Sequence, residues 1–372
     1  MYDIIDSGQN KHQMVWDLGP RCNFDCTYCH SGMHNNFSPH ASLEELKDTA
    51  RFIDEYYQIY AKFHREGMLT RSIVFTGGEP AANPNFYELI KWIKREYPDI
   101  KMSLTTNGTW DHRKINDILE SINFVTISYH TEGRDVLKKK VISNILEMYK
   151  HKPENMRVNV MMHSGDENFK ECQDLIHNIL EPNGINFVPR IIGEKLDKKL
   201  AFDPGDPTRR KVHEYTPEQN EYLRAYWSKQ NKKEIKDPKS KIARKMGRMC
   251  CGKIDMNVKE DGEWSTVKFL ENTEFTGWHC LVNWYFLHIE QGNDIVYHHQ
   301  TCRTNMDSEI GPIGTLSEKG KILDRLRSMK TPPIITCPNP HCGCGICVPK
   351  AKTKEDALEL WNKYFSPSSG PL

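Results

Sequence analysis

The sequence predicts an α/β fold: a partial (β/α)6 barrel of the TIM type, followed by a small cysteine-rich domain that contains a β-hairpin. Three observations carry this. Between residues 13 and 190 six short apolar runs alternate with longer amphipathic stretches. The loops after the first four runs hold cysteines, glycines and polar residues of the kind that carry chemistry. Eight of the twelve cysteines fall between residues 250 and 347. At 372 residues the chain accommodates a large domain with a smaller one attached, divided as 1–235 and 236–372.

The strand runs, in order, are MVWDL at 14–18, SIVFT at 72–76, MSLTT at 102–106, FVTIS at 124–128, MRVNVMM at 156–162 and INFVP at 185–189. Helical periodicity fills the intervals at 42–64, 84–96, 112–120, 134–149 and 169–180, with Pro84 suited to a first helical position. Strands that alternate with helices imply a parallel sheet, and right-handed crossovers curl it into a partial barrel. The stretch 193–249, with its lysine and arginine runs, reads as solvated helix and linker. In YFLHIEQGNDIVYHH two apolar arms flank Gln291-Gly292-Asn293-Asp294, which predicts a hairpin. The tail SPSSGPL should be loose. No internal repeat is visible.

Charge excludes little but bounds the partners. With 51 basic and 50 acidic side chains the net charge is +1, so no global field argues for nucleic acid or an anionic membrane. No run approaches the roughly 18–20 apolar residues of a bilayer span, and the start MYDIIDSGQNKH has no apolar signal core. The expectation is a soluble, cytoplasmic protein. In a reducing compartment clustered cysteines are metal ligands before they are disulfides.

The cluster RCNFDCTYCH follows the first strand. Cys22, Cys26 and Cys29 can hold three corners of a cubane iron–sulfur cluster, leaving the fourth iron open to an outside ligand; the next cysteine is Cys172. A closed zinc or electron-transfer site would carry a fourth protein ligand nearby. The sequence GGEP, residues 77–80, follows the second strand, TNG at 106–108 ends the third, and Ser128 and His130 close the fourth. Carboxyl ends of parallel strands are where such sheets place their sites, so these motifs converge on one rim. Gly77 and Gly78 would let the main chain approach a ligand where a β-carbon collides. Asn107 and Gly108 would equally suit a turn.

The CxxxCxxC loop with GGEP after the next strand resembles the radical S-adenosylmethionine (SAM) superfamily over roughly residues 13–200. The resemblance implies that Cys22, Cys26 and Cys29 bind a [4Fe–4S] cluster whose open iron is chelated by SAM. It implies reductive cleavage to a 5′-deoxyadenosyl radical that abstracts hydrogen from a substrate, with a flavodoxin- or ferredoxin-like electron donor. Tyr28 maps to a position near adenine, Glu79 to a partner of the methionyl ammonium, and Asn107 and Ser128 to ribose or carboxylate contacts. Arg190, at the end of the sixth strand, would neutralise the methionyl carboxylate or a substrate acid.

The later cysteines are similar to the SPASM/twitch auxiliary-cluster domain over roughly 250–350, with the hairpin between Cys280 and Cys302, GPIG at 311–314, and CPNPHCGCGIC closing the module. The gaps of the last segment depart from the SPASM pattern, so one or two auxiliary [4Fe–4S] clusters are expected on ligands among Cys251, Cys280, Cys302, Cys337, Cys342, Cys344 and Cys347; zinc is the rival metal. Cys172 and Cys250 are left for other roles. The expected activity is that of a radical SAM oxidoreductase or maturase acting on a peptide or peptide-like side chain. With the first cysteine at residue 22, a separate peptide-recognition protein would grip the leader. The alternative is a small metabolite, sugar or nucleotide-derived substrate. A noncatalytic iron–sulfur protein would carry clusters without producing 5′-deoxyadenosine.

Overall fold

The six expected strands form the spine of a computed structural model that describes residues 2–6, 11–29, 35–64, 69–192, 215–234, 256–267, 275–281, 286–297, 313–329, 334–337 and 348–364. These strands are β2 (Lys11–Asp17), β3 (Thr70–Thr76), β4 (Lys101–Thr106), β5 (Phe124–Tyr129), β6 (Met156–Met162) and β7 (Phe187–Ile191). Each pairs in parallel with the next. The crossovers carry α1 (Leu43–Ala61), α2 (Phe86–Glu96), α3 (Ile115–Ser121), α4 (Asp135–His151) and α5 (Asp166–Leu175), and α6 (Pro217–Glu234) follows β7.

Local chemistry sets the helix ends. Ser42 and Glu45 close a capping box on α1, each satisfying the other's backbone donor, an arrangement that contributes about 1 kcal/mol. The helix expected from residue 84 starts two residues later. Pro84 precedes the cap residue Asn85, because a short 3₁₀ turn at Pro80–Ala82 spends the intervening residues on its own cap.

Strand alternation divides the sheet into two unlike faces. On β6, Met156, Val158, Val160 and Met162 are fully buried under the helices, whereas Arg157, Asn159 and Met161 are only half-buried. The same alternation holds on β4 and β7, so the outer face is apolar core and the inner face is polar and partly open. The core also takes in the imidazole of His12, packed against Tyr56, Tyr57 and Tyr60 of α1.

A second, mainly antiparallel sheet orders β13-β10-β14-β1-β8-β9, comprising β1 (Ile4–Asp6), β8 (Met256–Glu260), β9 (Glu263–Val267), β10 (His279–Cys280), β13 (Ile335–Thr336) and β14 (Lys350–Ala351). Strands β8 and β9 are joined by Asp261-Gly262, both at positive φ, the backbone a two-residue hairpin turn requires. The chain crosses residue 235 in both directions. Strand β1 leaves the amino-terminal part to pair with β8 and β14. Conversely, the expected hairpin forms as β11 (Phe286–Glu290) and β12 (Ile295–Tyr297), yet β11 lies parallel to β2 in the main sheet rather than within the small cysteine-rich region. The reason is physical: β2 would otherwise expose an unpaired edge, and β11 buries Leu287 and Ile289 completely while covering it.

Two further helices tie the regions together. Helix α7 (Lys319–Ser328) lies on α1, where Lys319 pairs with Asp48 at 2.6 Å and Arg327 with Glu55. Helix α8 (Lys354–Tyr364) returns Lys363 to the buried carboxylate of Asp6 on β1 at 2.8 Å. The expected basic linker and the ligand candidates Cys251, Cys302, Cys342, Cys344 and Cys347, with Cys250, lie outside the described residues, apart from α6 and its approach. Among the described residues no helix is long and apolar enough to cross a membrane.

Candidate functional site: the cysteine loop and the rim of the main sheet

The loop after β2 is held on both flanks by backbone hydrogen bonds. On one side Gly78 N donates to Gly19 O and Glu79 N to Arg21 O, both at 2.9 Å. On the other, Cys22 N donates to Asn35 O at 2.6 Å and Asn35 N to Pro20 O at 2.7 Å. This close packing gives both glycines a role within the protein itself. A β-carbon on Gly77, whose φ is +128°, would meet the Asp17 carboxylate at 2.5 Å; one on Gly78 would strike the carbonyls of Pro20 and Arg21. Both glycines admit the cysteine loop at close range.

Glu79 is 2% exposed, and its oxygens accept from Thr106 Oγ1 at 2.6 Å, Asn107 N at 2.5 Å and Ala81 N at 2.9 Å. Burial raises its pKa to about 6, against the pull of those three donors. A carboxylate has about four acceptor sites; two are spent on bolting the β3 loop to the end of β4 and a third on capping the turn at Pro80–Ala82. Asn107 continues the bolt: its Nδ2 donates to Asn23 Oδ1 at 2.7 Å and reaches Cys22 Sγ at 3.9 Å, while its Oδ1 accepts from Thr109 Oγ1 at 2.6 Å. Asn23 Nδ2 closes the ring onto Thr109 Oγ1 at 2.7 Å. Asn23 and Thr109 were not legible as site residues, because each looks like ordinary loop chemistry until the two loops meet.

Cys26 is buried, and Cys22 and Cys29 are half-buried. Burial pushes the Cys22 thiol up to about 11 and the Cys26 thiol up to about 12. Bare thiolates are therefore disfavoured here, and a cationic iron centre would supply the charge that makes them ligands. Two donors, Phe24 N at 3.4 Å and Asn107 Nδ2, already point at Cys22 Sγ, as hydrogen bonds to cluster sulfurs do. Among the described residues no group of three His, Cys, Asp or Glu is spaced for a single metal ion.

Tyr28 shares a 2.5 Å hydrogen bond with His130 Nδ1 and stacks on that imidazole, centroids 5.9 Å apart. Burial raises the phenol and lowers His130 to about 4, so the imidazole is neutral at pH 7. A second tie was missed by sequence reasoning. Glu132 accepts from Thr27 N and Thr27 Oγ1, both at 2.6 Å, and sits 3.2 Å from His163 Nε2, which fastens the cysteine loop to the ends of β5 and β6.

Ser128 lies half-buried on the inner face opposite Asn159 in register, and Arg190 Nε donates to Asn159 Oδ1 at 3.3 Å. The rim thus joins the three cysteines, Tyr28, Gly77, Gly78, Glu79 and Asn107, whereas Arg190 is tied to Asn159 on β6. In the second sheet, Cys280 pairs with Ile335, and Cys337 N donates to Trp278 O at 2.7 Å, so these two cysteines share one face of adjacent strands. Cys172 is fully buried and donates to Met161 O at 3.3 Å, a structural thiol.

Residues 16–183, the stretch from β2 through α5 that carries this rim, match the Radical SAM superfamily. Over that stretch the chain is similar to radical SAM proteins. Among curated relatives, the GTP 3′,8-cyclase of Campylobacter lari is 30% identical over 129 residues, 34% of this chain and 37% of that one. The chain thus spans little more than a third of that relative's length. The GTP 3′,8-cyclase of Haemophilus ducreyi is 24% identical over 243 residues, covering 54% and 69%. Among solved structures, anSMEcpe with bound AdoMet is similar with a TM-score of 0.50 and 15% identity over 84% of this chain and 80% of that chain, a likeness of fold.

Proposed function

We propose that this protein is a radical SAM oxidoreductase or maturase that starts its reaction at Cys22, Cys26 and Cys29 and acts on a peptide or peptide-like side chain held against the inner face of the main sheet. The observation that carries the proposal is the cysteine loop itself: three thiols locked by Gly77, Gly78, Glu79 and Asn107 at the mouth of a polar, half-open face. When bound, a [4Fe–4S] cluster with SAM supplies one-electron cleavage to a 5′-deoxyadenosyl radical, which takes a hydrogen atom from the substrate.

The chain's own groups set the conditions. Cys22, Cys26 and Cys29 would ligate iron, and Asn107 and Phe24 N would tune Cys22. Tyr28, oriented by His130, would pack against adenine, and the free acceptor site of Glu79 would take the methionyl ammonium. Ser128 would meet the ribose or carboxylate. Cys280 and Cys337, with Cys251, Cys302, Cys342, Cys344 and Cys347, would hold the auxiliary cluster or clusters of a SPASM/twitch-like region within 236–372, offering an electron from the substrate a way out. The donor in would be of flavodoxin or ferredoxin type, and a separate protein would present a leader peptide.

The basic inner face favours one second reading, an anionic small molecule. The relatives named GTP 3′,8-cyclase act, by that name, on a nucleotide. One experiment decides. Cluster-loaded protein is reduced with SAM and either candidate peptides or nucleotides, and 5′-deoxyadenosine, deuterium transfer and product mass are measured together. A discrete mass change on peptide is expected; turnover with nucleotides alone sinks the peptide assignment, and no 5′-deoxyadenosine from any mixture sinks both.

A further inference from the structure

The inner face of the main sheet draws in a cation, Arg157, that leaves a buried donor unsatisfied. Arg157 is the second residue of β6, five positions before the strand's last residue, Met162. At about 3.3 Å per residue its backbone lies roughly 16 Å below the cysteine rim. Arg190 stands near the end of β7, but its Nε donates to Asn159, whose register partner is Val188, two residues back along β7. Arg190 is thereby tied to Asn159, which lies two residues from Arg157 on the same face of β6.

Arg157 Nε is buried with no hydrogen-bond partner. Burial first, and the positive charge of Arg190 second, hold its guanidinium below the ordinary value. From β3 to β7 the strand register puts no Asp or Glu on this face. The acids of the face are Asp17 and Glu290 on β2 and β11, at the other end of the strand order; Asp17 accepts from Gly19 N at 2.8 Å and Glu290 from Asn293 Nδ2 at 2.7 Å. A half-buried guanidinium with a buried, unpartnered donor and a second cation nearby costs stability unless an anion completes it.

We propose that Arg157, Asn159 and Arg190 form an oxyanion subsite for the substrate, deep in the partial barrel and separate from the cofactor rim, which takes a carboxylate or a phosphate. The guanidinium forks of Arg157 and Arg190 match either group, and Asn159 holds Arg190 in place. The proposal rests on the reading that this inner face is the substrate chamber. Both sources share the chemistry: an acidic side chain or carboxy-terminus of a peptide, or the phosphate of a nucleotide.

The test titrates cluster-loaded protein, in buffer free of competing anions, with inorganic phosphate and separately with acetate, by calorimetry. Wild type should bind one of them saturably at one site, and Arg157→Gln and Arg190→Gln should each weaken it roughly tenfold or more. The preferred anion identifies the source. Arg157→Gln should keep its affinity for SAM. Arg157→Met should lose the anion yet melt at a higher temperature than wild type in anion-free buffer, since an uncompensated cation has gone. No saturable binding to wild type, unchanged binding to Arg157→Gln, equal loss of SAM affinity in that variant, or a lower melting temperature for Arg157→Met overturns the proposal. Production of 5′-deoxyadenosine is scored apart, so a failure of the radical reading is seen independently of the anion result.

Discussion

Replacing Gly78 by alanine should release the cysteine loop. A β-carbon there would lie 2.5 Å from Pro20 O and against Arg21 O, far inside van der Waals contact. Relief requires residues 19–21 to move, and with them go two 2.9 Å backbone bonds, Gly78 N to Gly19 O and Glu79 N to Arg21 O. The two bonds contribute about 1–3 kcal/mol together and overpacking costs about 1–3 kcal/mol, so the apo protein should lose roughly 2–6 kcal/mol. A β-carbon on Gly320 of α7 would meet no atom within 4 Å, and alanine there should stabilise by about 0.5–1 kcal/mol, which makes Gly320→Ala the matched control. Urea denaturation of both apo variants and iron content after cluster loading are the measurements. If Gly78→Ala unfolds at the wild-type urea concentration and keeps its full iron, the glycines do not hold the loop and the account of the site is wrong.

Three further outcomes are expected. Burial lowers His64 to about 4 from an unfolded value of 6.5, so the unfolded chain binds the proton first; its stabilisation is complete above pH 6.5 and is lost as pH falls toward 4, roughly 3 kcal/mol in all. His64→Phe, which keeps the ring against Tyr60, should flatten that part of the apo protein's stability–pH curve, and an unchanged curve would reject the assignment. Asn107→Ala should cost about 1–3 kcal/mol by leaving Asn23 and Thr109 short of partners, and should speed iron release to a chelator; wild-type release would mean that Asn107 does not brace Cys22. Replacing Cys22, Cys26 and Cys29 together by alanine should remove the radical-initiating iron and leave iron on the later cysteines; loss of all iron would contradict an auxiliary cluster.

The main sheet was legible because each of its strands is a short β-branched or aromatic run between turns, and β6 matches its expected bounds, Met156–Met162, to the residue. The rim was legible for a related reason: parallel strands put their loops on one edge, so Cys22, Glu79 and Asn107 had to meet. Strand β1 was not, since Ile4–Asp6 is three residues long and takes its partners from residues 257–259 and 350–351. The hairpin was recognised but assigned to the cysteine-rich domain, because local turn chemistry says nothing about which sheet edge is bare. Glu132, His163 and Arg157 escaped notice because their meaning lies in contacts made from other strands and loops.

The turn between β11 and β12 reaches the cysteine loop from the far end of the chain. Gly292 stands so close that a β-carbon on it would meet Pro20 Cδ at 2.9 Å, and Gln291 Oε1 accepts from Trp16 Nε1 at 3.2 Å and Thr49 Oγ1 at 2.8 Å. During translation, β2 leaves the ribosome 269 residues before Phe286 follows, a delay of roughly 15–50 s at ordinary elongation rates. For that interval the nascent barrel has an open edge, and the loop that carries the three cysteines lacks the shoulder beneath Pro20. Iron delivered before then would meet an unbraced loop, so the architecture favours maturation of the cluster after β11 and its turn have docked.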